Sequence, residues 1–303
     1  MRKTYLKTHR IRLVCGRRSD WGACELIIRW HSSAVQSVVV LADNRHIVSG
    51  SSDNTVRIWN VSTGEEERVL RGHSGEVTSV TVSPDNRCVV SGSFDLTVRI
   101  WNVLTGEQKH VLRGHFGPVR SVNVSPDNRH IISGSSDKTV RLWNASTGEE
   151  EHEFRGHSGQ VYSAVVSPDN RYVVSGSSDK TVRIWNLSTR KEVHVLLGHS
   201  GSVYSVAVSP DTHHIVSGSS DKTVRIWNAS TGEEVHVLRG HSGLVSSVAV
   251  SPDNHHVASG SWDKAVRIWN LSSGEEDIPR AFYFGVFSHR LIRQSPCRVW
   301  ILR

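Results

Sequence analysis

The chain has 303 residues, 37% hydrophobic and 21% charged, enough apolar material for one large domain or two ordinary ones. No apolar run reaches the ~18 residues of a membrane-spanning helix, and the basic start, Met1 to Arg18, lacks the apolar stretch of a secretory leader. The net charge of +7 suggests nucleic acid, yet the excess sits at the two ends: residues 1–18 carry seven basic side chains and residues 280–303 five, with no acid in either, leaving 24 basic against 29 acidic residues between them.

Taken in chain order, the basic N-terminal arm comes first (Arg2, Lys3, Lys7, Arg10, Arg12, Arg17, Arg18), a segment able to touch nucleic acid or simply to be solvated. Cys15, Cys24, Cys88 and Cys297 share no short spacing, so reduced thiols are expected, with neither a disulfide framework nor a zinc site. From residue 30 to 274 the chain repeats itself. Trp59, Trp101, Trp143, Trp185, Trp227 and Trp269 are each 42 residues apart, and His31, His73, His115, His157, His199 and His241 keep the same step. A fixed period of this size means a solenoid or a propeller.

One repeat decides between them. Gly72-His73-Ser74-Gly75 is a loop; Val77–Val82, Cys88–Ser91, Thr97–Trp101 and Gln108–Leu112 are short β-rich runs. Ser-Pro-Asp-Asn, Gly92–Asp95 and Leu104-Thr105-Gly106-Glu107 are the turns between them. The spacing predicts four antiparallel strands in about 40 residues, the content of a propeller blade, and blades must stack to bury both faces.

Gly-His near the start of each repeat and Trp followed by Asn near its end resemble the WD-repeat family, whose signature pair is Trp-Asp. Asn replaces Asp in every copy, from Trp59-Asn60 to Trp269-Asn270, and Trp is the packing member of the pair. The wording of the repeats, Ser-Pro-Asp-Asn and Ser-Gly-Ser-Ser-Asp-Lys-Thr-Val-Arg-Ile-Trp-Asn, is also similar to the propellers of fungal NACHT-type receptors, although this chain carries no nucleotide-binding domain. The resemblance implies an all-β propeller of four-stranded blades, one domain over residues 1–303, that binds other proteins without a cofactor.

Each repeat also carries a Ser, an Asp and the Trp at fixed offsets from its His. The sets are His31, Ser49, Asp53, Trp59; His73, Ser91, Asp95, Trp101; His115, Ser133, Asp137, Trp143; His157, Ser175, Asp179, Trp185; His199, Ser217, Asp221, Trp227; and His241, Ser259, Asp263, Trp269. These residue types form a hydrolase triad in other settings. Six equal copies read instead as scaffold, since an enzyme needs one site. The family resemblance implies a hydrogen-bonded chain from Trp to Ser to His to Asp, which keeps buried polar groups paired. His213-His214 and His255-His256 read as surface residues rather than metal ligands, because neighbours on a strand point to opposite faces. Five Asn-X-Ser sequons, beginning at Asn60, recur with the turn chemistry.

The six copies compare with one another. Three residues after the His stand Ala34, Glu76, Pro118, Gln160, Ser202 and Leu244; five after it stand Gln36, Thr78, Arg120, Tyr162, Tyr204 and Ser246; just before the Asp stand Ser52, Phe94, Ser136, Ser178, Ser220 and Trp262. Ser-Pro-Asp and Ser-Thr-Gly-Glu barely change. The family resemblance implies that these three columns lie on one rim, around the mouth of the central channel. Exposed drift would scatter changes over all turns, so they are read as a recognition surface, with Phe94, Tyr162, Tyr204 and Trp262 as anchors. The fourth-strand column Glu67, Lys109, Glu151, Val193, Val235 and Asp277 varies as an outer edge does.

The ends match poorly. Gly22 to Arg29 sits where a fourth strand belongs, Lys7 to Ile11 loosely echoes Lys138 to Leu142, and Arg298-Val299-Trp300 echoes Arg267-Ile268-Trp269. A ring must close to remove its edge strands. The reading favours a degenerate seventh blade drawn from both termini, over six blades with loose tails or a piece of a longer array. The expectation is a monomeric, cytoplasmic or nuclear, non-catalytic scaffold. The rivals are a nucleic-acid-associated factor using the basic N-terminus and an enzyme carried on the ring.

Overall fold

The computed structural model describes Ile28 and residues 30–276. Blade 1 has strands Val35–Val40, His46–Ser51, Val56–Asn60 and Glu66–Leu70, paired in that order, all antiparallel. The same meander recurs in blades 2 to 5, each with four strands, and in blade 6, which has three and a single bridge from Trp269 to Glu276. In blade 2 the strands are Val77–Val82, Cys88–Ser93, Val98–Asn102 and Gln108–Leu112, within two residues of the sequence reading. His213 lies in a turn and His214 opens a strand, so the two separate through the turn and not through strand alternation.

Three turns per blade take a left-handed residue. The turn after the first strand uses Asn44, Asn86, Asn128, Asn170 and Asn254, with Thr212 in blade 5. The turn after the third strand uses Gly64, Gly106, Gly148, Gly232 and Gly274, with Arg190 in blade 4. Asn and Gly are the residues this conformation favours. In the latter turn the Asn that follows each Trp accepts the main-chain N–H groups two and three residues on, as Asn60 does from Ser62 and Thr63. An Asx turn needs only that oxygen, which explains why Trp-Asn serves as well as Trp-Asp.

The core lies between blades. Val48, Val56, Ile58 and Leu70 of blade 1 pack on Val77, Val80, Val89 and Trp101 of blade 2, and four more interfaces repeat this set. Innermost strands are also stitched across the seams: Ser37 Oγ accepts from Val80 N–H at 3.1 Å, and Ser79, Ser121, Ser163 and Ser205 do the same for the next blade at 3.1–3.2 Å. In each case a polar group is buried with its partner supplied.

Blade 6 breaks the series. Val56, Val98, Val140, Val182 and Val224 are at most 1% exposed, whereas Val266 is 72% exposed. A Cβ placed on Gly50, Gly92, Gly134, Gly176 or Gly218 would strike a valine of the next blade at 2.6–2.7 Å; on Gly260 it would find nothing nearer than Ser247 at 3.9 Å. No contact comparable to that between successive first strands joins blade 6 to blade 1 among the described residues. The expected closing blade, read on residues 1–29 and 275–303, lies outside the described residues except for Ile28, Glu275 and Glu276. So do the basic arm, Cys15, Cys24 and Cys297.

Candidate functional site

The six tetrads share one geometry. Trp Nε1–H donates to Ser Oγ at 2.7–2.8 Å. The Ser hydroxyl lies 2.7–2.8 Å from His Nε2, and His Nδ1 lies 2.7 Å from the Asp carboxylate. In the neutral tautomer that satisfies both contacts, Ser O–H donates to Nε2 and Nδ1–H donates to Asp. The carboxylate then accepts from the residue after the His and from the main chain two residues on, for example Phe116 N–H at 3.0 Å and Thr139 N–H at 2.9 Å of Asp137. Thr139 Oγ1–H adds a further bond at 2.7 Å, which Ala265 cannot supply in blade 6. Every Ser of the set is at most 4% exposed and already accepts from Trp, so its oxygen faces packed protein rather than a substrate.

Burial pushes the Asp53 carboxyl up, but bonds from Thr55 and His31 outweigh it and hold the group at about 2. Asp263 is also held at about 2, against burial, by His241 and the N–H groups of Ala265 and Ser242. Asp95, Asp137, Asp179 and Asp221 lie lower still for the same reasons. Burial drives His31 below its usual 6.5 despite the pull of Asp53.

This network ties the His loop to the turn between the second and third strands, and so builds one face. The residue before each Asp donates its N–H to the carbonyl three after the His: Ser52 to Ala34, Phe94 to Glu76, Ser136 to Pro118, Ser178 to Gln160, Ser220 to Ser202 and Trp262 to Leu244, at 2.8–3.0 Å. Two of the variable columns are therefore neighbours in every blade. The third opens each first strand beside them.

Side chains of the rim bond along the ring. Gln36 Nε2 donates to Ser52 Oγ, which donates to Glu76 of the next blade at 3.0 Å. Arg120 Nε donates to Ser136 Oγ at 2.8 Å, and its guanidinium lies 4.7 Å from the Phe94 ring centre, a cation–π distance. Tyr162 and Tyr204, on adjacent blades, stack with centroids 4.8 Å apart and planes at 22°. Trp262 is 57% exposed. Thr78 differs in kind: its hydroxyl lies within bonding distance of Gly92 O at 3.0 Å and of Val119 O, on blade 3, at 2.6 Å. That rim residue joins two blades.

The sequence reading missed Phe116 and Leu96. Phe116 is 84% exposed on the His loop, where the other five copies have Ser; Leu96 is exposed at the left-handed position after Asp95. The signal was present, one Phe in a serine column and one Leu in a column of Lys and Asn. A cavity of about 320 Å³ at the opposite mouth was also unexpected. The closing valines Val40, Val82, Val124, Val166 and Val208 wall it, with Thr81, Ser83, Asn86 and Asn123 among its lining residues. Among the described residues no cluster of three His, Cys, Asp or Glu could hold a metal, and no helix is long and apolar enough to cross a membrane.

The family described as "WD domain, G-beta repeat" matches six times, at residues 22–60, 64–102, 106–144, 148–186, 190–228 and 232–270. A 46-residue stretch, 15% of this chain, is 44% identical to the vegetative incompatibility protein HET-E-1 of Podospora anserina, where it covers 3% of that protein's length. Six matched repeats over most of the chain, folded as six blades with a Trp-Ser-His-Asp network in each, place this protein in the WD-repeat family.

Proposed function

We propose that the protein is a non-catalytic interaction platform whose partner docks on the rim built by the His loops and Asp turns. The observation that carries this reading is where exposed apolar side chains lie. Among the described residues ten large hydrophobic side chains are exposed, and six of them, Trp30, Phe94, Leu96, Phe116, Leu197 and Trp262, stand on the His loops, the residues just before them or the Asp turns. Exposed apolar patches of this sort mark binding surfaces, and aromatic and Arg side chains dominate interface energetics. The tetrads, by contrast, are repeated, buried and self-satisfied, which suits a load of folding rather than chemistry.

WD repeats as a family mediate protein–protein contacts, and the likeness to a vegetative incompatibility protein supports a place for this propeller as the sensing module of a larger assembly. The test is affinity capture from the native host. Replacing Arg120, Tyr162, Tyr204 and Trp262 together by Ser should leave the fold intact, at roughly 1 kcal/mol or less per site, and remove most of the captured partner. The matched control replaces Glu67, Lys109 and Glu151 on the outer edge and should capture as wild type does. Capture that survives the rim changes and fails in the control places the partner on the side of the ring. Nucleic acid retained through residues 1–18, and lost on deleting them, would favour the rival reading.

A further inference from the structure

The three left-handed turn positions of each blade do not use the same residues. Two of them, away from the rim, use Asn or Gly in five blades of six. The third follows the tetrad Asp and lies on the rim. It uses Lys138, Lys180, Lys222 and Lys264 in blades 3 to 6, at φ of 70–73°, with Asn54 and Leu96 in blades 1 and 2. Lysine gains nothing from this conformation, because its Cβ crowds the backbone and its side chain cannot make the local bonds that favour Asn there. Four blades thus hold a cation at this turn, whereas their other left-handed turns hold Asn or Gly at every position but Arg190 in blade 4 and Thr212 in blade 5. Sparsely populated backbone states concentrate where function requires a particular side chain.

All four ammonium groups are on exposed residues, and none has a carboxylate partner among the described residues. The Asp beside each lysine points inward, with His, Thr or main-chain N–H groups as its donors, and its side chain is 5–8% exposed. What faces solvent is therefore cationic. Blades 4 and 5 of this arc also carry the stacked pair Tyr162 and Tyr204, and blade 3 carries Arg120. The tyrosine rings stack on each other, which takes up one face of each and leaves less of the successive open ring faces on which single-stranded bases stack.

We propose that the rim of blades 3 to 6 selects an acidic peptide segment, its carboxylates set over Lys138, Lys180, Lys222 and Lys264 and an apolar or aromatic side chain set against Tyr162 and Tyr204. This rests on the rim reading above and adds the chemistry of the partner. Charge complementarity of this kind governs encounter rate and partner choice, and it is screened by salt.

The experiment uses the full chain and four labelled probes of twelve units: alternating Glu-Tyr, Gln-Tyr and Lys-Tyr peptides, and oligo-dT. Wild type should bind Glu-Tyr best, with affinity falling steeply as salt rises. The variant K138N/K180N/K222N/K264N should bind Glu-Tyr about tenfold or more weakly while keeping its weak affinity for Gln-Tyr. The same variant should melt at a higher temperature than wild type, since Asn suits the left-handed turn. Equal binding of Glu-Tyr and Gln-Tyr by wild type, or no loss in the lysine variant, overturns the proposal, as does the absence of Glu-Tyr binding. Tighter binding of oligo-dT overturns it in favour of nucleic acid. The variant Y162S/Y204S separates the two readings. If it weakens both Gln-Tyr and Glu-Tyr while the lysine variant weakens neither, the rim reading stands and the acidic partner falls.

Discussion

Thr212 is a local fault that the other blades diagnose. In blades 1, 2, 3 and 5 a main-chain N–H of the Ser-Pro-Asp turn donates to the Asn side chain of the following blade. Asp85 bonds to Asn128, Asp127 to Asn170 and Asp211 to Asn254 at 3.2–3.3 Å, and Ala42 to Asn86 at 2.8 Å because blade 1 has Ala where Pro lacks an N–H. Blade 4 lacks this bond, for blade 5 offers Thr212 in place of Asn. Thr212 also sits at φ 65°, where a β-branched side chain is strained. The left-handed conformation costs an ordinary residue roughly 1–2 kcal/mol, of which Asn recovers a large part, and an exposed hydrogen bond adds about 0.5 kcal/mol. Thr212→Asn should therefore stabilise by about 1–2 kcal/mol, or roughly 2–6 °C in midpoint for a domain of this size. The reverse change, Asn254→Thr, should cost about the same, at the seam to Asp211. Thermal melts of both variants check this. An unchanged or lower midpoint for Thr212→Asn, with Asn254→Thr harmless, would refute the reasoning about strain and stitching.

Three further outcomes follow from the packing. Trp143→Ala should destabilise by roughly 3–5 kcal/mol in denaturant melts, from the cavity and the orphaned Ser133, and His115→Ala by less; an unchanged midpoint would remove the tetrads from the stability account. Val224→Ala should cost about 2 kcal/mol or more, whereas Val266→Ala should cost about 0.5 kcal/mol or less because its side chain lies open; equal costs would show that something covers blade 6 in solution. The tetrad carboxyls lie below their usual 3.8 in the folded state, so unfolding takes up protons: their contribution is full above about pH 5 and is lost as pH falls toward 2 and below. His31, depressed below 6.5, adds a loss of the same sign that begins nearer neutrality. Melting points that stay level from pH 6 to 3 would contradict both.

Strand positions were legible because each blade writes them twice, in Val and Ile runs and in the Ser-Pro-Asp-Asn and Ser-Thr-Gly-Glu turns. The shared face of the rim columns was legible too, and a main-chain bond such as Trp262 to Leu244 supplies its physical cause. Roles within the rim were less so. Thr78 varies like its neighbours yet ties blade 2 to blade 3, because its hydroxyl reaches a carbonyl 41 residues away in the chain. The tyrosine stack needs two residues that are a whole repeat apart in sequence and adjacent only in the ring. Closure stayed illegible for a plain reason. The position that would match Leu70, Leu112, Phe154, Leu196 and Leu238 is Arg280, so the apolar pattern that specifies the other interfaces stops there.

The central claim is that partners meet this propeller on the face of the His loops, and cross-linking in the native host tests it most directly. A photoreactive side chain placed at Phe116 or Ser202, on the rim, should capture a protein partner, and the same group at Lys109, on the outer edge, should capture little. Capture from Lys109 alone, with both rim positions silent, would contradict the account.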